Sequence, residues 1–374
     1  MNVVDYIREN NSSLFKFSSV SAVESLVLSQ LSYYRFENFE KGNTIGQILN
    51  KVDISDFSKT SWNKDESKHF LEAIYEDPFW SKIKFVDYMS LFDEQKEEQF
   101  CSVVFELKKG LYYIAFRGTD GTFTGWKEDF NMSFMTSVPS QHSAISFTKS
   151  MLAKYDGYFF LGGHSKGGNL AHYAMLFVDD SSARKIRRSD SFDGPGIQLA
   201  GIDIKIEDRK AKLLKFIPEN SVVGRIYEYD QDYLVTIKSK SKHIFDHDLF
   251  TWEVKDQKFV LAKDQSRLSD YVKATIDTFN SKLDNDIKMD FIDFVYDVSK
   301  KLDTNSVSKA NENFIENFKL FLKAYRNASP GKKEDWKLIA KTLGKASLKS
   351  GDLLLPQILD KGKNESQDKK DTSM

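Results

Sequence analysis

Residues 163–167 carry the clearest chemical signal in the chain. They read Gly-His-Ser-Lys-Gly, so that Ser165 stands between two glycines. An aromatic and aliphatic run precedes them, and a stretch with apolar residues at helical spacing follows. A Gly-x-Ser-x-Gly sequence between a strand and a helix is typical of a nucleophile elbow, a sharp turn that presents a serine hydroxyl. The sequence therefore predicts that Ser165 is a nucleophile, and the alternative is a mere strand-to-helix turn.

A serine nucleophile requires a general base, because a free serine hydroxyl reacts weakly at neutral pH. The chain contains six histidines. Two of them, His243 and His247, follow the last predicted core strand, where hydrolases with this elbow place the histidine. The ring of His164, beside the serine, is expected to point away from the reacting face. By position alone, both His243 and His247 qualify as the base.

The elements that must position these residues fall into three regions. Residues 1–95 are predicted to be a mostly helical N-terminal elaboration. Residues 96–262 alternate strand-like and helix-like stretches, which predicts a largely parallel sheet with helices on both faces. Residues 263–355 form a helical C-terminal region, whose Phe- and Leu-rich faces we interpret as core, with a lid or cap as the alternative. The polar end, residues 356–374, is predicted to be disordered.

The fold class that follows is α/β, with the architecture of an α/β-hydrolase. A hairpin and a series of strands are predicted in the core, at residues 102–107, 111–116, 158–161, 191–193, 213–217 and 233–238. Helices are predicted at residues 19–34 and 140–155.

Composition narrows the functional classes. Hydrophobic residues make up 40% of the 374 residues, and the formal net charge is −1, so no global charge excess favours nucleic acid. Cys101 is the only cysteine, which excludes an intrachain disulfide. With no signal-like start and no apolar run of membrane length, we predict a cytoplasmic protein. No metal-ligand spacing or phosphate-loop pattern is found, so no metal and no cofactor are predicted.

A second signal lies upstream of the serine. A Phe-Arg-Gly-Thr sequence ends at Thr119, and a Trp-x-x-Asp sequence begins at Trp126. This pair resembles the class 3 lipases. The resemblance implies that Thr119 supplies one half of an oxyanion hole and that the main-chain N–H of Lys166 supplies the other. We interpret Arg117, Trp126 and Asp129 as structural residues of the loop.

The same resemblance bears on the base, whereas Lys166 is interpreted from the geometry of the turn. Class 3 lipases have a late histidine shortly before an apolar or Trp-containing strand, which favours His247 over His243. The Lys166 side chain is interpreted as facing solvent or substrate. A Ser-Lys dyad is disfavoured, because adjacent residues in a tight turn point in different directions.

The acid departs from the class 3 pattern. Those lipases carry an aspartate in a segment that resembles residues 216–224, but Ser221 stands at its place here. We predict Asp193 instead, since it ends the strand after the elbow helix. Pancreatic-type lipases are similar in using an aspartate at this place. The alternative is that Asp193 only organises an Asp-Gly turn. Other carboxylates remain open as the acid: Glu219 first, then Asp230, Asp232, Asp246 and Asp248.

The chain also resembles a family of bacterial lipase-like hydrolases of unknown function. Three shared motifs carry the resemblance: His-Ser-Lys-Gly-Gly-Asn-Leu-Ala at 164–171, Asp-Gly-Pro-Gly at 193–196 and His-Asp-x-Phe-x-Trp at 247–252. The resemblance extends weakly across both helical flanks. It favours the hydrolase fold and the choice of Ser165, Asp193 and His247, but it implies no particular substrate.

These signals together predict a serine hydrolase that cleaves carboxylic esters through an acyl-enzyme. The expected partner is a small-molecule ester, with an acyl lipid and peripheral membrane contact as an extension of that prediction. One alternative is a hydrolase-fold binding or regulatory protein with little turnover, motivated by Ser221. Another is a thioesterase or peptidase, because substrate choice depends on pocket shape and not on the catalytic groups.

Overall fold

The computed structural model describes residues 1–9, 19–61, 63–120, 122–132, 135–197, 207–226, 233–241, 246–299 and 329–350. The candidate residues His243, Asp230 and Asp232 lie outside the described residues, and so does the tail predicted at 356–374.

A seven-stranded sheet forms the centre of the fold, and its spatial order follows the chain. Its strands are β1 (Lys84–Asp93), β2 (Glu98–Lys108), β3 (Leu111–Phe116), β4 (Tyr158–His164), β5 (Ile186–Phe192), β6 (Leu213–Pro218) and β7 (Leu234–Ile237). The first two pairings are antiparallel and the four from β3 to β7 are parallel. The mostly parallel sheet predicted for an α/β-hydrolase is therefore confirmed.

Alternate residues of the central strands enter different hydrophobic cores. Val103 and Tyr113 pack in the core that the N-terminal helices close, whereas their neighbours Val104 and Ile114 pack in a second core. Successive side chains of a strand point to opposite faces, so the two cores lie on the two faces of the sheet. Strands buried on both faces read as continuous apolar runs, which is why β3 and β4 were predictable.

Short helices near the N-terminus cover one face. They are α1 (Val3–Glu9), α2 (Ala22–Leu31), α3 (Ile45–Leu49), α4 (Ile54–Phe57) and α5 (Lys64–Glu76), with 3-10 turns at Ser58–Thr60 and Trp80–Lys82. A capping box between Ser21 and Glu24 begins α2, inside the stretch predicted to be helical.

Helices that connect the strands from β3 onward lie on the other face. Of these helices, α7 and α8 contribute the most buried apolar residues to the second core. They are α6 (Phe123–Asn131), α7 (Pro139–Lys154), α8 (Lys166–Phe177), α9 (Asp180–Lys185) and α10 (Glu207–Lys210). Short 3-10 turns lie at Val223–Arg225 and Leu249–Thr251.

The C-terminal region is helical where it is described. After a small hairpin of β8 (Val254–Lys255) and β9 (Lys258–Phe259) come α11 (Arg267–Lys282), α12 (Asn285–Ser299) and α13 (Pro330–Ser350). In the described part of the chain, every helix is too short or too polar to cross a membrane.

Strand β1 was not predicted, since it falls inside the region assigned to helices. The predicted boundary at residue 95 lies in the turn between β1 and β2. Beyond Asp87, apolar residues of β1 such as Met89, Leu91 and Phe92 are exposed, because β1 is the edge of the sheet. An edge strand without alternating burial gives no periodic signal in the sequence.

Candidate active site

Ser165 occupies the turn between β4 and α8. Its backbone is in a strained conformation, with φ 57° and ψ −132°. Its N–H donates to the Phe192 carbonyl at the end of β5 (2.9 Å). The turn closes so tightly that a Cβ on Gly163 would lie 2.3 Å from the carbonyl carbon of Gly167. Glycine is therefore required where the elbow folds onto itself, and the strained turn is typical of a nucleophile elbow.

Asp193 follows β5 directly and is fully buried. Its Oδ2 accepts a hydrogen bond from Nδ1 of His247 (2.6 Å), and its Oδ1 accepts from the Ser221 hydroxyl (2.5 Å) and the Gly224 N–H (3.1 Å). Burial alone would raise the pKa of Asp193, but the hydrogen bond and charge of His247 and the Ser221 hydroxyl outweigh it and lower the pKa. Asp193 is therefore an ionised carboxylate that fixes the proton of His247 on Nδ1.

Ser221 stands where the class 3 pattern has an acid, and it donates to the carboxylate that contacts His247. The other carboxylates considered have different surroundings: Asp246 accepts from Asn220 and Asp248 from Asn63. Among the described residues, no hydrogen bond joins Glu219, Asp246 or Asp248 to His247.

The ring of His164 contacts His247, contrary to the expectation that it would point away from the site. The two ring centroids are 4.5 Å apart, and Nε2 of His164 donates to the His247 carbonyl (2.8 Å). Nδ1 of His164 accepts from the Tyr33 hydroxyl (2.9 Å). Burial, with the charge of His247, lowers the pKa of His164 to about 3, so this ring is neutral. His164 thus holds the main chain of His247 beside the strand end that carries Ser165.

The Ser165 hydroxyl and the His247 ring are not hydrogen-bonded to each other in the described part of the chain. In structures without substrate, catalytic hydrogen bonds are often long and tighten only when substrate binds. The site therefore has a hydrogen-bonded Asp193–His247 pair, which His164 holds close to the turn that carries Ser165.

The loop after β3 lies directly against the elbow. A Cβ on Gly118 would come within 3.2 Å of the Ser165 Cβ and 2.8 Å of the His164 carbonyl oxygen. Thr119 follows, and its hydroxyl donates to Oδ2 of Asp129 (2.5 Å). Within the described residues, the main-chain N–H groups of Thr119 and Lys166 have no hydrogen-bond acceptor. For Lys166 this is expected, because the first N–H groups of a helix have no partner inside the helix.

Asp129 contacts Thr119 in the loop that it was interpreted to hold, whereas Lys166 differs from what was expected of it. Burial raises the pKa of Asp129 to about 6, even though Lys166 and the Thr119 hydroxyl lower it. The Lys166 side chain is only 1% exposed, so the prediction that it faces solvent or substrate is wrong. Its ammonium donates to Glu128 (3.0 Å) and to two oxygens of Gln99 (2.8 and 2.6 Å). The long Lys166 side chain extends into the interior to reach these acceptors. The sequence next to Lys166 does not indicate them, because Gln99 and Glu128 are distant in the chain.

Three residues of the site were not found from the sequence: Tyr33, from the N-terminal layer, Gln99, on β2, and Glu128, on α6. No cluster of His, Cys, Asp and Glu side chains in the described ranges has the arrangement of a metal site.

Residues 74–297 match the sequence profile of a family described as Mbeg1-like. This match spans more than half of the chain and includes Ser165, Asp193 and His247. The chain belongs to the Mbeg1-like family. The Mbeg1-like proteins are a lipase-like family, as the sequence resemblance implied.

Curated proteins gave no match to the chain. Three solved lipases are similar in structure at low identity. The chain is 17% identical to M37 lipase (66% of this chain and 84% of that one covered, TM-score 0.35). It is 15% identical to lipase II from Rhizopus niveus (57% and 78%, TM-score 0.34). It is 12% identical to the Rhizomucor miehei lipase in its propeptide complex (64% and 82%, TM-score 0.33).

Membership of the lipase-like Mbeg1-like family and the α/β-hydrolase architecture together indicate a hydrolase of the lipase type.

Proposed function

We propose that this protein is a serine hydrolase of carboxylic esters and that Ser165, His247 and Asp193 are its catalytic triad. The observation that carries the proposal is the 2.6 Å contact between His247 Nδ1 and Asp193 Oδ2, next to a serine in a strained elbow. With its proton fixed on Nδ1, a neutral His247 offers Nε2 as the base.

The reaction divides into acylation and deacylation. Ser165 Oγ attacks the ester carbonyl carbon while its proton passes to His247 Nε2, and Asp193 stabilises the imidazolium. The oxyanion accepts hydrogen bonds from the N–H groups of Thr119 and Lys166. When the carbon–oxygen bond of the leaving group breaks, His247 returns the proton to the departing alcohol. Water then attacks the acyl-enzyme with His247 again as base, and the free acid leaves.

An ester with an apolar acyl group suits the surface beside the site. Trp126 and Phe130 on α6 are 36% and 51% exposed, and Phe130 directly follows the Asp129 that binds Thr119. Large exposed apolar side chains near a site are a common sign of apolar ligands or of membrane contact. We therefore propose an ester with an acyl chain, with peripheral contact to lipid during turnover. The cytoplasmic location stays a prediction from the sequence.

We propose further that the helices α11 and α12, in the described part of the C-terminal region, form a cap. On one side of the site, the Ser269 hydroxyl of α11 donates to the Ser221 carbonyl (2.6 Å). On the other side, Asp293 of α12 pairs with Lys127 of α6 (2.6 Å). These contacts attach one helical region both to the loop that holds Asp193 and to the helix that holds Thr119. A cap in this place would select among acyl groups.

The test is hydrolysis of p-nitrophenyl esters of graded acyl length by wild type, Ser165→Ala and His247→Gln. Turnover by wild type alone would support the proposal, and the dependence on chain length would rank the acyl groups. Turnover that persists in Ser165→Ala would contradict it. Folded wild type without ester turnover, but active on thioesters or peptides, would assign the same site to those substrates. No turnover of any acyl substrate would favour a binding or regulatory protein.

A further inference from the structure

Helix α6 binds both of the residues that we propose as oxyanion donors. Glu128 binds the Lys166 ammonium (3.0 Å), and the next residue, Asp129, accepts the hydroxyl hydrogen bond of Thr119 (2.5 Å). Thr119 follows β3, whereas Lys166 begins α8. Two consecutive carboxylates of a single helix therefore hold two residues that come from separate parts of the chain.

The contact between Lys166 and Glu128 is buried completely, with side chains that are 1% and 0% exposed. The main-chain and side-chain oxygens of Gln99 accept from the same ammonium, so three acceptors surround its three N–H donors. The other carboxylate oxygen of Glu128 accepts from the N–H of Ser140 (2.9 Å). Both buried charges are thus fully satisfied.

Stability alone is a poor reason for such a pair. Removing two charges from water costs about as much as their attraction returns, and packed apolar residues often replace buried pairs without loss. A fully hydrogen-bonded pair does fix the relative position of the two elements that carry it, here α6 and the first turn of α8. Donors that are already in place need no reorganisation when an oxyanion forms, which is how such sites stabilise the transition state.

We propose that the side chains of Glu128 and Lys166 are positioning groups for the oxyanion hole. Their ion pair holds α6 against the start of α8, and α6 in turn holds Thr119 through Asp129. The two N–H donors are thereby kept at a fixed separation beside Ser165. This inference rests on the proposed function, because it concerns the oxyanion of the Ser165 reaction.

The test is a double variant, Lys166→Met with Glu128→Gln, which removes both charges of the pair together. It should unfold near the wild-type temperature. Its kcat on p-nitrophenyl esters should fall by about 10- to 100-fold with KM unchanged, because oxyanion contacts act in the transition state. Affinity for an alkyl boronic acid, whose adduct with Ser165 is a tetrahedral anion, should fall by a similar factor.

Asn131→Leu is the matched control, since Asn131 lies on the same helix but donates to Glu97 (2.8 Å) and, in the described part of the chain, contacts neither Thr119 nor Lys166 through a hydrogen bond. This variant should keep its kcat and its affinity for the boronic acid. Equal loss in the control and in the double variant would overturn the inference, because α6 would then act only as a structural helix.

Other outcomes separate the inference from the proposed function. A folded double variant with wild-type kcat, or with lower kcat but full affinity for the boronic acid, would overturn the inference and leave the triad intact. Wild type without ester turnover would overturn both. If the double variant does not fold, Glu128→Gln alone carries the test: a kcat reduced about tenfold with unchanged KM supports the inference, and an unchanged kcat overturns it.

Discussion

The two sides of the candidate site each use an aspartate, and the pKa values of these two aspartates are shifted in opposite directions. On one side, Asp193 accepts from His247, Ser221 and Gly224, and its pKa is lowered. On the other side, Asp129 accepts from the Thr119 hydroxyl through one oxygen. Its Oδ1 is buried and has no hydrogen bond within the described residues, and its pKa is raised to about 6.

Burial disfavours the charge of both carboxylates, so the number and kind of donors decide the difference. Three donors, one of them a histidine, keep Asp193 ionised in an apolar interior. Asp129 has one hydroxyl donor and lies 4.0 Å from the Lys166 ammonium, which is too little to offset its burial. Asp193 therefore keeps its charge to a lower pH than an ordinary aspartate, whereas the carboxylate that holds Thr119 changes its charge near pH 6.

The largest effect is expected on the acid side. Asp193→Asn should lower kcat by about 10⁴-fold, as loss of the triad aspartate does when the histidine takes the wrong tautomer. Steady-state kinetics on a p-nitrophenyl ester would measure it. Asp246→Asn is the control, because the Asp246 side chain accepts from Asn220 and makes no hydrogen bond to the His247 ring among the described residues. A similar small loss in both variants would remove Asp193 from the triad.

On the oxyanion side, Thr119→Val should lower kcat by about tenfold, because the N–H donor remains but its tether to Asp129 is lost. Thr119→Ser retains the hydroxyl and should keep most of the activity. A fall of about 10²–10³-fold in Thr119→Val would instead make the hydroxyl itself an oxyanion donor. Wild-type kcat in Thr119→Val would show that neither the Thr119 hydroxyl nor its bond to Asp129 is needed for oxyanion binding.

The two carboxylates should also affect stability with opposite signs. The lowered pKa of Asp193 stabilises the fold above the usual aspartate range, and this contribution is lost as pH falls through the folded pKa. The raised pKa of Asp129 lowers the free energy of unfolding as pH rises from about 4 to about 6. Urea unfolding between these pH limits should show a smaller fall in the free energy of unfolding with rising pH for Asp129→Asn than for wild type. Identical pH profiles would contradict the raised pKa.

The smallest effect is expected at Tyr33, whose hydroxyl donates to His164. Tyr33→Phe should destabilise the fold by about 1–3 kcal/mol, because a buried acceptor loses its donor, and should reduce kcat several-fold. Tyr34→Phe is a matched control, since the Tyr34 hydroxyl binds Gln30 and not the site. Equal kcat in the two variants would show that Tyr33 contributes only to stability.

Local patterns made part of the site predictable. The elbow could be found because its strand, turn and helix are consecutive, and the prediction that Asp193 lies at a strand end needed only the order of the core strands. Contacts between distant segments could not be found. The partners Tyr33 and His164, or Glu128 and Lys166, are far apart in sequence, and no local pattern around either residue of a pair indicates the other.

The fold shows the same division between local and distant information. Buried central strands such as β3 and β4 have apolar runs that identify them. The exposed part of β1 has none, because hydrogen bonds to β2 define that strand, and these depend on chain pairing and not on side-chain pattern.

The most direct test of the central claim is fluorophosphonate labelling of the folded protein, followed by peptide mapping of the adduct. Ser165 alone should carry the phosphonyl group in wild type, and Ser165→Ala should remain unlabelled although folded. Unlabelled wild type that is folded, or an adduct on a residue other than Ser165, would contradict the claim that Ser165 is an activated nucleophile.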